Sequence, residues 1–170
     1  DLRLEDHRAL FEAQQTCNNI DLVFVFDKNI LLKLKDPQDQ RLSFIQQSLI
    51  NLEKELQKTG GGLHVHYGDP QVVIPNLYQE LNSEALFINQ DYEPYANLRD
   101  EKIREHINRL NGRIFSFQDH VIYEPEHILK ADGTPYTVFT PFKKKWLNTF
   151  LDQGMPCLSY KNKPASITPG

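Results

Sequence analysis

Cysteine is scarce in this sequence: Cys17 and Cys157 stand far apart in 170 residues and fall in no metal-ligand spacing. That excludes a disulfide framework, and it suits a reduced, cytoplasmic protein with two buried or indifferent thiols. Long apolar runs are missing too. The longest, residues 22–26, is far too short to span a bilayer, and no secretory or membrane segment is visible. Positive charge is in deficit, with 19 Lys and Arg against 23 Asp and Glu and a formal net charge of -4. The chain therefore lacks the overall basicity on which non-specific duplex binding draws. Familiar catalytic signatures are also absent: there is no phosphate-cradling glycine loop, no G-x-S-x-G elbow, no H-E-x-x-H and no C-x-x-C. No residue receives a catalytic role on this basis.

What remains is the composition of a soluble globular protein, 39% hydrophobic and 25% charged, at a length that fits one domain with a single sizeable core. Short β-branched or aromatic runs alternate with stretches of helical period, which is the βαβα pattern. Strands are predicted over residues 21–26, 63–67, 85–89 and 113–117, and their continuous apolarity suggests a parallel sheet buried on both faces. Leu42, Ile45, Leu49, Leu52 and Leu56 mark one stripe of a helix over residues 41–56. Gly60-Gly61-Gly62 ends it as a turn. Asp69-Pro70 reads as an N-cap with proline at the first helical position, with Val73, Leu77 and Leu81 on one face and Pro75 expected to kink or shorten the helix. A further helix over residues 96–110 points Ile103, Ile107 and Leu110 inward, and Asn111-Gly112 closes it. Thr140-Pro141 opens the last helix, with Phe142, Trp146 and Phe150 on its buried stripe. From Gly154 onward the composition is that of a linker or tail. The predicted architecture is α/β: a Rossmann-like parallel sheet with helices on both faces. The first helix, over residues 7–16, has no strand before it. Either the first strand is missing from these residues or another segment takes its place.

Ligands of open parallel sheets settle beyond the carboxyl ends of the strands, and the segment at one such exit is rich in functional groups. Asn89-Gln90-Asp91-Tyr92-Glu93-Pro94-Tyr95 follows the apolar run Leu86-Phe87-Ile88. Asp91 and Glu93, two apart on an extended segment, point the same way and offer acceptors to one ligand, while Tyr92 or Tyr95 can stack on a flat ring. The competing role is helix capping and dipole stabilisation by the same two acids. His64 and His66 share a strand face but no motif supplies further metal ligands, so no metal site is expected. Lys143-Lys144-Lys145 form the wet side of the last helix rather than a nucleic-acid patch.

Several of these segments, in order and spacing, resemble the N-terminal α/β domain of the DNA photolyase and cryptochrome family. Asp1-Leu2-Arg3-Leu4-x-Asp6 with Ala9-Leu10 resembles the family's opening D-L-R-x-x-D-N-x-A-L, with His7 where Asn is usual. Arg41-x-x-Phe44 with Ser48-Leu49-x-x-Leu52 is similar to its second helix, and Gly68-Asp69-Pro70 to the following turn. Tyr92-Glu93-Pro94-Tyr95 with Arg99-Asp100 is similar to its strand-to-helix segment. Thr137-Val138-Phe139-Thr140-Pro141-Phe142 leading to Trp146 resembles its Y-x-V-F-T-P-F-x-x-x-W.

The resemblance implies an antenna domain over residues 1–152 and a linker over 153–170 toward an absent helical domain that binds FAD, docks damaged DNA and performs electron transfer. It implies a fragment that lacks the strand before its first helix. In the complete protein the activity would be that of a deoxyribodipyrimidine photolyase, a carbon-carbon lyase acting on pyrimidine dimers, with the fragment alone inactive and making no direct contact with nucleic acid. Asp91, Glu93, Tyr92 and Tyr95 become candidate contacts to the antenna chromophore. Asp91-Tyr92-Glu93-Pro94 matches the Asp-x-Glu-Pro pattern of deazaflavin-binding members, whereas Tyr95-Ala96 stands where folate-binding members carry Asn-Glu, which disfavours folate. Two alternatives stay open: a cryptochrome-type blue-light photoreceptor domain, and a free-standing nucleotide-binding module.

Overall fold

The computed structural model describes residues 2–36, 39–154 and 166–170. Helix α1 spans Arg8–Thr16, α2 Lys28–Leu31, α3 Gln40–Gln57, α4 Pro70–Glu80, α5 Pro94–Arg109 and α6 Phe139–Gln153. Strand β1 spans Asn19–Ile20, β2 Leu22–Asp27, β3 Leu63–Gly68, β4 Ala85–Asn89, β5 Arg113–Phe117 and β6 Ser166–Ile167. The chain divides into two compact units, Asp1–Phe117 with Tyr160–Gly170, and Gln118–Ser159.

In the first unit every strand pairing is parallel. β2 runs beside β3 with Leu22 opposite Leu63 and Asp27 opposite Gly68. β4 runs beside β5 with Ala85 opposite Arg113 and Asn89 opposite Phe117. β1 and β6 make a third, shorter pair. The expected parallel α/β arrangement is present, but the described strands form three two-stranded sheets rather than one continuous sheet. The two longer pairs are also less covered than their apolarity predicts. In β3 half-buried His64 and His66 alternate with exposed Val65 and Tyr67, so one face of that pair is covered and the other open.

Two clusters hold this unit together. Leu10 and Ala13 of α1 pack with Ile20, joined by Leu4, Cys17, Leu22 and Phe87. Tyr78 of α4 packs with Ile103 and Ile107 of α5, joined by Ile74, Leu86 and Ile114. Ile107 and Leu56 are sealed completely from solvent; burying each such side chain stabilises the fold by about 2 kcal/mol. The predicted stripe of α3 is graded: Leu49, Leu52 and Leu56 are buried, while Leu42 and Ile45 near its start are half-buried. Its N-cap Asp39 also grips Arg41 through side-chain bonds of 2.9 Å and shorter, and this partner holds the carboxyl at a pKa of about 2.

Two sequence expectations for the helices of this unit are corrected in detail. Pro75 neither ends nor shortens its helix; α4 continues to Glu80 with Pro75 buried inside it. Leu110 is not inward but 37% exposed, because α5 stops at Arg109 and Leu110 is already its C-cap. The closure of α5 is as expected, with Asn111 at a φ of 57° and the Gly112 N–H donating to the Ile107 carbonyl at 2.9 Å. Gly112 has a second reason to lack a side chain, since a Cβ there would stand 2.5 Å from the Tyr78 hydroxyl.

The second unit contains a turn, a one-turn 3-10 helix at Pro125–His127, and α6. Asp132 closes the predicted turn by accepting the Thr134 N–H at 2.9 Å and its hydroxyl at 2.6 Å. Thr140 does not cap α6. The helix begins earlier, with Val138 at the N-cap and no side-chain bond. Pro141 is tolerated because it falls in the first turn, where an amide has no partner within the helix anyway. Trp146 stacks on Phe150 at 5.4 Å and meets Tyr123 edge-on at 5.7 Å. Phe142, Trp146 and Phe150 are half-buried rather than buried, and Lys143, Lys144 and Lys145 are exposed. Of the expected 153–170 linker, residues 155–165, with Cys157, lie outside the described residues, whereas 166–170 form β6 and its extension.

Candidate functional site

At the exits of β2, β3 and β4 an aspartate, at the strand's end or within two residues of it, stands before the next helix. Asp27, the last residue of β2, accepts the Asn29 N–H at 2.8 Å and caps α2. Asp69, one past β3, accepts the Gln71 N–H at 3.0 Å and caps α4. Asp91, two past β4, accepts the Glu93 N–H at 3.2 Å, while Glu93 takes the N-cap position of α5 without using its side chain. The shared cause is local: a strand leaves helix amides unpaired where the chain turns, and a short carboxylate reaches them.

The aspartates differ in what else they hold. Asp27 is buried, 7% exposed, and its second oxygen accepts the Tyr95 hydroxyl at 2.6 Å. Asn29 donates to that hydroxyl at 3.3 Å, and the Lys33 ammonium lies 5.2 Å above the Tyr95 ring. Burial, then the bond to Asp27, keeps the Tyr95 phenol protonated above its ordinary range; the charge of Asp69 adds to this and the Asn29 bond opposes it. Arg99, on the first turns of α5, bonds Asp100 at 2.8 Å. Burial acts to lower its pKa, but Asp100, Asp27 and Asp91 outweigh burial and raise it, so the guanidinium is a fixed positive charge among these acids.

Of the four residues singled out in the sequence, Asp91 is turned to a local amide, and Glu93 is exposed. Tyr92 is half-buried, its carbonyl accepting from the Asn97 side chain at 3.4 Å. Tyr95 is tied to the end of β2. Sequence reasoning missed Asp27, Asn29, Lys33 and Arg99. A signal for Asp27 was available in its place directly after the apolar run, matching Asp69 after β3.

Around this rim, His7 caps α1 by accepting the Leu10 N–H on Nδ1 at 3.2 Å, and Asn89 at the end of β4 receives the Ala9 N–H at 2.9 Å. His64 Nε2 stands 3.6 Å from Asp21 at the opposite strand ends and makes no hydrogen bond. His106 Nδ1 lies 2.9 Å from the Lys102 carbonyl of its own helix. Among the described residues no three His, Cys, Asp or Glu side chains gather as metal ligands, and no helix is long and apolar enough to cross a membrane.

The sequence model of the DNA photolyase family matches residues 1–163. The chain belongs to the DNA photolyase family. A deoxyribodipyrimidine photo-lyase of Synechococcus sp. is 35% identical over 146 residues, which make up 86% of this chain and 30% of that protein. Cryptochrome-1 of Aedes aegypti is 30% identical over 139 residues, 78% of this chain and 25% of its own. Among solved structures, a cryptochrome of Synechocystis sp. PCC6803 superimposes on the whole chain with a TM-score of 0.81 at 24% identity, using 35% of its length. A photolyase of Sulfolobus tokodaii, solved with two FAD molecules and taken to imply a novel light-harvesting cofactor, does so with a TM-score of 0.72 at 24% identity over 36% of its length. At that identity the likeness is one of fold. This photolyase-family chain thus spans about a third of the relatives it matches. The departure from the family's opening motif is absorbed locally, since the imidazole of His7 takes up the capping bond.

Proposed function

We propose that this chain is the light-harvesting domain of a deoxyribodipyrimidine photolyase, which as a complete protein repairs pyrimidine dimers by light-driven, FAD-dependent cleavage. The family match over residues 1–163 carries the reading. FAD and the damaged DNA would be held by parts of the protein beyond this domain, in keeping with the third of its relatives that the chain spans. The domain's own ligand is an antenna chromophore at the exit of β4, and a deazaflavin fits the Asp91-Tyr92-Glu93-Pro94 pattern better than a folate.

The donor set supports that location. Exposed Glu93 has a carboxylate uncommitted to its helix, Asp91 has one oxygen turned to a backbone amide, and half-buried Tyr92 lies between them in sequence. Acceptors for a ligand's N–H and O–H groups thus share one short segment with an aromatic residue. Tyr95 serves differently: with its hydroxyl on Asp27 and a cation over its ring, it fixes the rim against the end of β2. The chromophore, when bound, supplies light absorption and energy transfer; the residues named here hold and orient it.

Reconstitution of the complete protein with deazaflavin tests the site. Asp91→Ala with Glu93→Ala is expected to abolish uptake, seen as loss of the chromophore's absorbance from the purified protein; unchanged uptake removes the assignment. Because cryptochromes are among the similar proteins, a light-dependent thymine-dimer assay decides the activity. Repair is expected, and intact dimers would establish the photoreceptor reading instead.

A further inference from the structure

Two neighbouring helices of the first unit end in the same way. α4 stops at Glu80 and α5 at Arg109, and two residues further on each reaches an asparagine of left-handed backbone, Asn82 at a φ of 49° and Asn111 at 57°. Each asparagine N–H donates back into its helix, to the Gln79 carbonyl at 3.1 Å and to the Asn108 carbonyl at 3.0 Å. The following residue closes the longer ring: the Ser83 N–H donates to the Tyr78 carbonyl, and the Gly112 N–H to the Ile107 carbonyl, both at 2.9 Å. Both ends are therefore Schellman caps with asparagine in the left-handed position.

The amide that closes each ring is also a nucleophile. When the nitrogen after an asparagine gives up its proton to hydroxide, it can attack the asparagine side-chain carbonyl carbon, and a small following residue shields it least. Asn111 is the one asparagine in the sequence followed by glycine, and Asn82 the one followed by serine. Asn111 is exposed, so its carboxamide is open to solvent, but the Gly112 amide is not at liberty to reach it. Gly112 is also pinned on its other side, since a Cβ there would stand 2.5 Å from the Tyr78 hydroxyl and 2.8 Å from Ile107 Cγ2. Tyr78 and Ile107 belong to the cluster that joins α4 to α5, and Ile107 is sealed from solvent. The more reactive dipeptide thus sits in the tighter hold.

We propose that Asn111-Gly112 is a site of spontaneous covalent modification, deamidation to aspartate and isoaspartate, latched by the cap of α5 and released when that cap opens. In the open state the Gly112 nitrogen bonds to Asn111 Cγ, the bond from Cγ to Nδ2 breaks, and ammonia leaves with a solvent proton. The resulting five-membered imide takes up one water. Opening at one carbonyl gives aspartate; opening at the other gives isoaspartate, whose main chain runs through the former side chain. No electron changes hands. Either product sets a carboxylate at the end of α5, where the helix dipole is already negative. Isoaspartate also adds a main-chain carbon between α5 and Arg113, the first residue of β5, and the Gly112 bond to Ile107 is lost with it. The change is one-way, because the latch that held the amide back does not re-form.

Incubation of the full chain at mildly alkaline pH, followed by mass spectrometry of the tryptic peptide Leu110–Arg113 and isoaspartyl methyltransferase labelling, tests the latch. The native chain should convert Asn111 roughly tenfold or more slowly than the urea-unfolded chain, because only the fraction with an open cap reacts. Tyr78→Phe removes the hydroxyl against Gly112 and keeps the ring in its cluster, and Ile107→Ala loosens the end of α5 directly. Each should speed conversion of Asn111 in the native protein by roughly threefold or more. Asn82 is the internal reference: Tyr78→Phe retains the backbone carbonyl that holds Ser83, so conversion there should not change. Equal rates in the native and unfolded chains overturn the proposal. So does a Tyr78→Phe protein that converts Asn111 no faster than wild type, or one that speeds Asn82 as much as Asn111. If Ile107→Ala does not fold, Tyr78→Phe decides alone.

Discussion

Asp27 and Asp91 are the same residue type at the same kind of place, the exit of a parallel strand, yet they have become different objects. Asp27 is buried and spends one oxygen on the Asn29 amide and the other on the Tyr95 hydroxyl. Asp91 is half-buried and holds the Glu93 amide. Local sequence turns both onto a nearby backbone amide, Asp27 as the N-cap of α2 and Asp91 onto the N-cap residue of α5. The difference comes from Tyr95, which reaches across 68 residues of sequence to Asp27 and leaves the exit of β4 to whatever a ligand brings. A carboxylate closed on both oxygens is structural, whereas one with an oxygen to spare is available for recognition.

That contrast breaks most visibly at Asp27. Asp27→Ala should cost about 3 kcal/mol, from a lost cap and a lost charge-assisted bond, measured as a shifted midpoint of denaturant unfolding. An effect no larger than that of an ordinary surface residue would mean the two aspartates are equivalent. Tyr95→Phe should cost about 2 kcal/mol, because the hydroxyl bond to a carboxylate goes while the ring remains. The tyrosine also gives the contrast a pH signature. Its phenol is raised in the folded protein, so its contribution is complete below the ordinary tyrosine pKa and is lost as pH rises through the raised value. Unfolding followed from neutral to alkaline pH should show this loss in the wild-type protein and a shallower decline in Tyr95→Phe. Asp91→Ala should have the smallest effect on stability, within about 1 kcal/mol, since a single partly exposed backbone bond is removed. If Asp91→Ala is as damaging as Asp27→Ala, Asp91 is a structural residue, and the chromophore assignment weakens with it.

Much of this was readable in advance because its causes are local. The leucines of α3 recur at helical spacing, and Asp69-Pro70 opens α4 as expected, since a cap and a fixed proline φ need only their neighbours. The exit of β4 was found for the same reason. Thr140 misled because a good capping residue is a local preference, and α6 starts one residue before it at Phe139. The stripe of α6 had the right spacing, but spacing states which residues share a face and not how deeply that face is covered. The glycine run was half understood: Gly60 is a turn for local reasons, but nothing near Gly61 and Gly62 announces a segment more than 100 residues away.

The sequence by itself determined the parallel α/β alternation, the Asp69 cap at the exit of β3 and the family, because periodicity, capping and motif order are properties of neighbouring residues. Only the tertiary structure decided that Tyr95 belongs to Asp27, that the charges of Asp27 and Asp91 act on Arg99, and that two glycines make room for residues 166–170. These depend on which distant backbones approach each other, and such approaches are settled by packing the whole chain at once.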